Sequence, residues 1–116
     1  KHTDKRGFFS EILKTKSEGQ FSISSTIPGI TRGDHFHTRK IERFIVIQGK
    51  ALVELRKIDS NKKFSIKLGG NNLNHIDIPI WYAHKITNIG DETLITLFWI
   101  NEPYNEESAD TYFEEV

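Results

Sequence analysis

Cysteine is absent from all 116 residues. Disulfides and thiolate metal sites are therefore excluded, and any metal must be held by His, Asp or Glu, a donor set that suits Zn, Fe, Mn or Ni. No apolar run approaches the roughly 18 residues that a membrane span needs. The chain also lacks the basic head, apolar core and small-residue cleavage site of a signal peptide. A cytoplasmic protein without a membrane partner is the expectation. No Lys or Arg follows Lys85: residues 1–85 hold all 16 bases and eight acids, and residues 86–116 hold the other eight acids, +8 followed by −8. A nucleic-acid binder would carry a basic excess, which this chain lacks. The two parts can neutralise each other within the fold or across a dimer, or the acidic end can be a solvated tail.

What is present suits one domain, residues 1–116, large enough for a core but not for two. A hydrophobic fraction of 36% and a mean hydropathy of −0.49 fit a soluble globular chain. Strand patterns run throughout: "GFFSEILK" (7–14), "QFSISSTI" (20–27), "ERFIVIQ" (42–48), "ALVELRKI" (51–58), "KFSIKL" (63–68), "NHIDIPI" (74–80), "AHKITNI" (83–89) and "TLITLFWI" (93–100). "SEG", "PGITRGD" (28–34), "GGNN" (69–72) and "GDE" (90–92) punctuate them, and Gly49-Lys50 reads as a tight hairpin. No segment has a convincing 3.6-residue period, so little helix is expected. "EPYNEESADTYFEEV" at the end reads as extended or partly helical. Eight or nine or more short antiparallel strands in so few residues predict an all-β jelly-roll barrel. Such a chain must cover its edge strands, and pairing with a second copy as a homodimer would do so.

One stretch carries chemistry. In "GDHFHTRKIERFIVIQG" (33–49), His35 and His37 stand at i and i+2, which on a strand places both rings on one face. Alone this is weak, since chance gives an HxH in about one such chain in five. Glu42 opens the next strand, which an antiparallel barrel would set beside the HxH strand. His84, five residues after Pro79 and four before Asn88, begins a third. Three imidazoles and a carboxylate leave coordination positions open, as a catalytic metal requires. Each histidine alone could equally be an ordinary surface residue. His75 reads as an exposed side chain or a displaced proton carrier, and His2 as a terminal residue without a role. Arg32, Arg39, Lys40 and Arg43 crowd the motif and would suit a nucleotide diphosphate, or simply solvate the surface.

The spacing G-x5-H-x-H-x4-E-x6-G, here Gly29, His35, His37, Glu42 and Gly49, resembles the first motif of the cupin superfamily. Pro79, His84 and Asn88 resemble the second. Trp81 stands where a glycine is usual there, and the preceding glycine is displaced to Gly69 or Gly70, departures expected to loosen the loop but spare the ligand. Across about residues 4–116, "DKRGFFSEILKT", "GQFSIS", "PGITRGDHFH", "ERFIVIQGKA", "TNIGDE" and "DTYFEEV" are similar to the C-terminal cupin domain of bacterial bifunctional nucleotide-sugar epimerase/reductases. Those enzymes act in capsular-polysaccharide precursor synthesis, more broadly in capsular or O-antigen pathways.

The resemblance implies several things. A reductase domain using NADPH would precede this one in a longer chain, which fits a start at Lys1 rather than methionine. The cupin would bind a divalent metal, zinc first, and epimerise a UDP-4-keto-6-deoxy-N-acetylhexosamine. The keto group acidifies its neighbours, a Lewis acid stabilises the enolate, and a general base removes the C3 proton for return to the opposite face. His35, Glu42 and His84 are the implied ligands, with His37 the fourth. Lys14, Tyr82 and Asp34 are candidate bases by their closeness in sequence to the ligands or to an entry strand. Two other readings compete: an Fe(II) cupin dioxygenase on the same ligands, and a non-catalytic module for sugar binding or dimerisation.

Overall fold

The structure is a computed structural model and describes residues 1–70 and 74–116. The latter half of the expected "GGNN" break lies outside the described residues. Eleven strands form: β1 (His2–Asp4), β2 (Gly7–Lys14), β3 (Gln20–Thr26), β4 (Thr31–Phe36), β5 (Glu42–Gln48), β6 (Lys50–Lys57), β7 (Lys63–Gly69), β8 (His75–Ile78), β9 (Tyr82–Asn88), β10 (Leu94–Ile100) and β11 (Tyr112–Phe113). They build two antiparallel sheets, ordered β1-β2-β3-β10-β5-β8 and β11-β4-β9-β6-β7. This is the jelly-roll sandwich that the cupin resemblance implies. The acidic end holds a short 3-10 turn, Glu106–Ser108, and then β11. No helix among the described residues is long and apolar enough to cross a membrane.

Period-2 alternation sets the inner face of each sheet. On β5, Glu42, Phe44 and Val46 are buried, and β6 turns Ala51, Val53 and Leu55 inward. The apolar ones among them join Leu68, Ile78, Ile86 and Leu94 in one cluster. Each fully buried Val or Leu there contributes roughly 1.5–3 kcal/mol. The inner face changes character along its strands. Glu42 precedes Phe44 and Val46 on β5, and His84 precedes Ile86 on β9, so these two titratable side chains lie at the end of the inner face where the strands begin.

Three expectations need correction. Gly49-Lys50 is not a hairpin: β5 pairs with β10 and β8, whereas β6 pairs with β7 and β9, so the chain crosses from one sheet to the other there. Gly49 has φ of 89°, and a Cβ would sit 3.2 Å from Thr93 O and Leu94 Cα. The corner therefore asks for glycine as a hairpin turn would, and local sequence cannot separate the two. Secondly, part of the "PGITRGD" connection is strand, since β4 starts at Thr31. Thirdly, β4 and β5 lie in opposite sheets, so Glu42 is not beside the HxH strand but across the sandwich from it.

The acidic end folds back on the basic part of the chain. Arg39 meets Glu102 at 2.9 Å, Arg56 meets Glu114 at 2.5 Å, and β11 pairs with β4. The charge asymmetry is thus met at least partly within the fold.

Candidate metal centre

His35 and His84 are directly opposed across the β4–β9 ladder, and their ring centroids are 4.6 Å apart. A bulge sets this up: the register shifts between Gly33 and His35, and Asp34 takes the left-handed φ of 52°. Such a bulge re-aims the side chain that follows it. Gly33 is required by close approach, because a Cβ on it would fall 2.7 Å from the carbonyl oxygen of His84. His37 lies just past the end of β4, with its ring 5.2 Å from that of His35. Glu42 reaches over from the other sheet. Its Oε1 touches Nε2 of His37 and lies 3.6 Å from Nε2 of His84. One ligand atom from each of His35, His37, Glu42 and His84 lies within 4.8 Å of the others.

Backbone carbonyls decide which imidazole nitrogens are free. His37 Nδ1–H donates to the carbonyl of Asp110 at 2.6 Å, and His84 Nδ1–H donates to that of Tyr82 at 3.2 Å. A carbonyl only accepts, so each Nδ1 carries a proton, and in the neutral ring Nε2 is the ligand atom. Nε2 of His84 is buried without a hydrogen-bond partner among the described residues. A buried orphan of this kind is costly unless something binds it. It fits a cation seated among the four residues. The donor set of imidazoles and one carboxylate suits a divalent transition metal or zinc.

Electrostatics agree with that fit. Burial, with the neighbouring His84 second, pushes the His35 imidazole down to about 4, so it is neutral near pH 7. Burial works to raise the Glu42 carboxyl, but the contact with Nε2 of His37 and the nearby imidazole of His84 hold it far below the usual carboxylate range. Burial likewise opposes protonation of His37, and the contact with Glu42 outweighs it.

The ligand cluster opens into a cavity of about 480 Å³. Phe9, Phe44 and Phe98 supply an apolar wall, and Arg32 and Lys40 supply charge. That volume lies within the usual range for small-molecule sites. Of the four bases near the motif, Arg39 pairs with Glu102 and Arg43 with Asp77, both toward solvent. Arg32 is half-buried against Thr26 and Ser25, and Lys40 is buried.

None of Lys14, Tyr82 and Asp34 lines this cavity. Lys14 is exposed on β2 and borders a separate groove with Tyr104 and Asn105. Tyr82 packs against the core. Asp34 accepts from the backbone N–H of Val116 at 3.3 Å. His75 is exposed on β8, while His2, expected to be idle, stands at the cavity's edge. Asn88 is a structural member of its motif: its amide donates to Thr26 O and Glu92 O and accepts from Gly90 N.

Trp81 explains the glycine usual at its position, for its φ is 64°. Its N–H donates to His37 O at 2.8 Å, and its ring stacks on Phe36 at 5.8 Å. The loop takes the left-handed turn with the bulky residue in place.

Asp110 went unread in the sequence. It is buried with φ of 50°, and its carboxylate accepts from Thr38 N and Oγ1, Arg39 N and Lys40 N. Those bonds offset the burial and hold its carboxyl at about 2.

Comparison with known proteins follows the same lines. The family described as "Polysaccharide biosynthesis C-terminal domain" matches residues 2–112. A UDP-2-acetamido-2,6-beta-L-arabino-hexul-4-ose reductase from Pseudomonas aeruginosa is 39% identical over 111 residues, covering 96% of this chain but only 30% of that protein. The crystal structure of the capsular polysaccharide assembling protein CapF from Staphylococcus aureus superposes with a TM-score of 0.96 at 39% identity, covering 99% of this chain and 31% of that one. An oxalate decarboxylase from Lactobacillus farciminis, with a TM-score of 0.76 at 24% identity and covering 97% of this chain and 32% of its own, shares the fold.

Proposed function

The chain belongs to the polysaccharide biosynthesis C-terminal domain family, and on that premise we propose that it epimerises a UDP-linked 4-keto-6-deoxy-N-acetylhexosamine by removing and returning the C3 proton. The observation that carries this reading is the convergence of His35, His37, Glu42 and His84 at one end of a sugar-sized cavity. The 39%-identical relative, a reductase of a UDP-linked hexulose, supports the substrate class.

A divalent cation, zinc first, would be held by those four residues and would supply Lewis-acid stabilisation of an enolate. The chain's own residues do the rest. The carbonyls of Asp110 and Tyr82 aim two imidazoles, Glu42 supplies fixed negative charge, and Phe9, Phe44 and Phe98 keep water from the sugar ring. Lys14, Tyr82 and Asp34 do not reach the cavity and carry no proton in this proposal. A preceding NADPH-dependent reductase domain, a homodimer and a cytoplasmic setting complete the reading.

The test is proton exchange. The metal-analysed chain is incubated in deuterium oxide with the UDP-4-keto sugar, and C3 and C5 are followed by NMR. Metal-dependent deuterium uptake at C3, abolished in Glu42→Ala and His84→Ala, is expected. Bound sugar and bound metal without uptake would overturn the epimerase reading and favour a binding module. Iron with oxygen consumption would favour a dioxygenase.

A further inference from the structure

β3 buries Gln20, Ser22 and Ser24 on the face where β5 and β6 bury mostly apolar side chains. Gln20 is 4% exposed and Ser22 3%, and both line the cavity that holds the ligand cluster. The backbone N–H of Tyr104 donates to Oε1 of Gln20 at 3.1 Å, which fixes the way round of the amide. Its nitrogen donates one hydrogen to Oγ of Ser22 at 3.1 Å. A carboxamide has two N–H hydrogens and a serine hydroxyl has one. One amide hydrogen of Gln20 and the hydroxyl hydrogen of Ser22 therefore have no acceptor among the described residues.

Leaving buried donors without an acceptor is costly, and both residues border a cavity from which an acceptor can come. Strand register places them. Gln20 pairs with Ile100 and Ile100 with Glu42, while Ser22 pairs with Phe98 and Phe98 with Phe44. Side chains opposite one another on neighbouring strands share a face. Gln20 thus stands on the face of Glu42 with one strand between them, two strand spacings or about 10 Å away.

The guanidinium groups of the cavity belong to the other end of β3. Arg32 donates to Thr26 Oγ1 and Ser25 O, and the backbone of Arg6 accepts from Ile27 N. Lys40, beside the Tyr104 ring, already faces Glu102 and Asp110. The free donors at the Gln20 end are uncharged, and two uncharged donors side by side match one neutral carbonyl oxygen. A hexosamine carries such an oxygen in the acetamido group at C2, two carbons from the 4-keto group. Resting on the epimerase reading above, we propose that Gln20 and Ser22 are specificity-determining residues that hold this acetamido carbonyl. The site thereby selects an N-acetylhexosamine over a sugar with a hydroxyl at C2. Neither residue takes part in the proton transfer.

Calorimetry on the full 116-residue chain tests this with UDP, UDP-glucose and UDP-N-acetylglucosamine as probes, the two sugars differing only at C2. Wild type should bind UDP-N-acetylglucosamine about 10-fold more tightly than UDP-glucose, as two modest hydrogen bonds allow. Ser22→Ala should weaken the N-acetyl sugar by about 5- to 10-fold and leave UDP and UDP-glucose within about twofold, the loss of one neutral hydrogen bond. Equal affinity of wild type for the two sugars overturns the proposal. So do equal losses for UDP and UDP-N-acetylglucosamine in Ser22→Ala, which would give the pair to the diphosphate. A second measurement needs no variant: in the 15N-labelled chain, the Gln20 side-chain amide resonance should shift on adding UDP-N-acetylglucosamine and stay in place on adding UDP. A shift with UDP alone overturns the proposal even where Ser22→Ala fails to fold. None of these readouts needs turnover. Wild-type chain that prefers the N-acetyl sugar without exchanging C3 would sink the epimerase reading and leave the acetamido contact standing, whereas exchange without the preference would sink the contact alone.

Discussion

Replacing Asp110 should damage the candidate metal centre without touching any of its four ligand side chains. The carboxylate of Asp110 gathers four donors from residues 38–40, at 2.7 Å from Thr38 Oγ1, 2.8 Å from Arg39 N, 3.0 Å from Thr38 N and 3.2 Å from Lys40 N. Hydrogen bonds to a charged group are worth roughly 1.5–3 kcal/mol each. Counting only the two shortest, Asp110→Ala should cost about 4 kcal/mol. Alanine also meets the left-handed φ of 50° badly, adding roughly 1 kcal/mol. Asparagine tolerates that conformation and keeps one accepting oxygen, so Asp110→Asn should cost about half as much. The residue-110 carbonyl survives in both variants, but only a properly placed backbone can hold the His37 ring. Losing an outer-shell partner lowers metal affinity by about 10- to 100-fold. Urea denaturation followed by Trp fluorescence, with zinc competition titrations on the same samples, reads both effects. Wild-type stability and zinc affinity in Asp110→Ala would refute the idea that the acidic end orients His37.

Other outcomes follow from the same geometry. Gly33→Ala should separate β4 from β9, because its Cβ would meet His84 O at 2.7 Å and Lys85 Cα at 2.8 Å; a loss of roughly 2 kcal/mol and weaker zinc binding are expected, and wild-type melting would contradict the close approach. Chelation of the metal-loaded chain should lower its melting temperature, with re-addition at 1,000 times the dissociation constant restoring about 4 kcal/mol; a melt indifferent to metal would count against a folded-state site. Asp4 should titrate at about 2 in a carbon-detected NMR series, chiefly through its hydrogen bond from the Arg6 side chain. A depressed carboxyl stabilises the fold above its unfolded value near 3.8, and that contribution vanishes as pH falls toward 2. Arg6→Gln should return Asp4 toward 3.8, and an unmoved titration would show the pair to be idle in solution.

The strands were legible because burial on a two-residue period writes itself into the order of side chains. "ERFIVIQ" and "GFFSEILK" coincide with β5 and β2 to the residue. Sheet membership was not legible. Gly49 needs a positive φ whether the chain doubles back or crosses over, so the corner read as a hairpin. The ligands were legible for a different reason: their spacing is shared with a family, whereas nothing in composition distinguishes His35 from a surface histidine. The supports of the site were hidden. Asp110 acts partly through its carbonyl, which every residue possesses. Lys40 lines the cavity whereas Arg39 and Arg43 pair toward solvent, a difference that nothing in the local sequence signals. Trp81 looked like a defect in a motif, yet it adopts the backbone angle for which glycine is usual.

His37 ends its excursion from one sheet and Glu42 begins the other, so residues 38–41 are the bridge between the two layers. Those residues belong to no strand, and the Asp110 carboxylate grips three of them through their backbone N–H groups. The position at which the carboxylate of one layer meets the histidines of the other is therefore fixed by a residue almost at the far end of the chain, a strap across the crossing between the sheets.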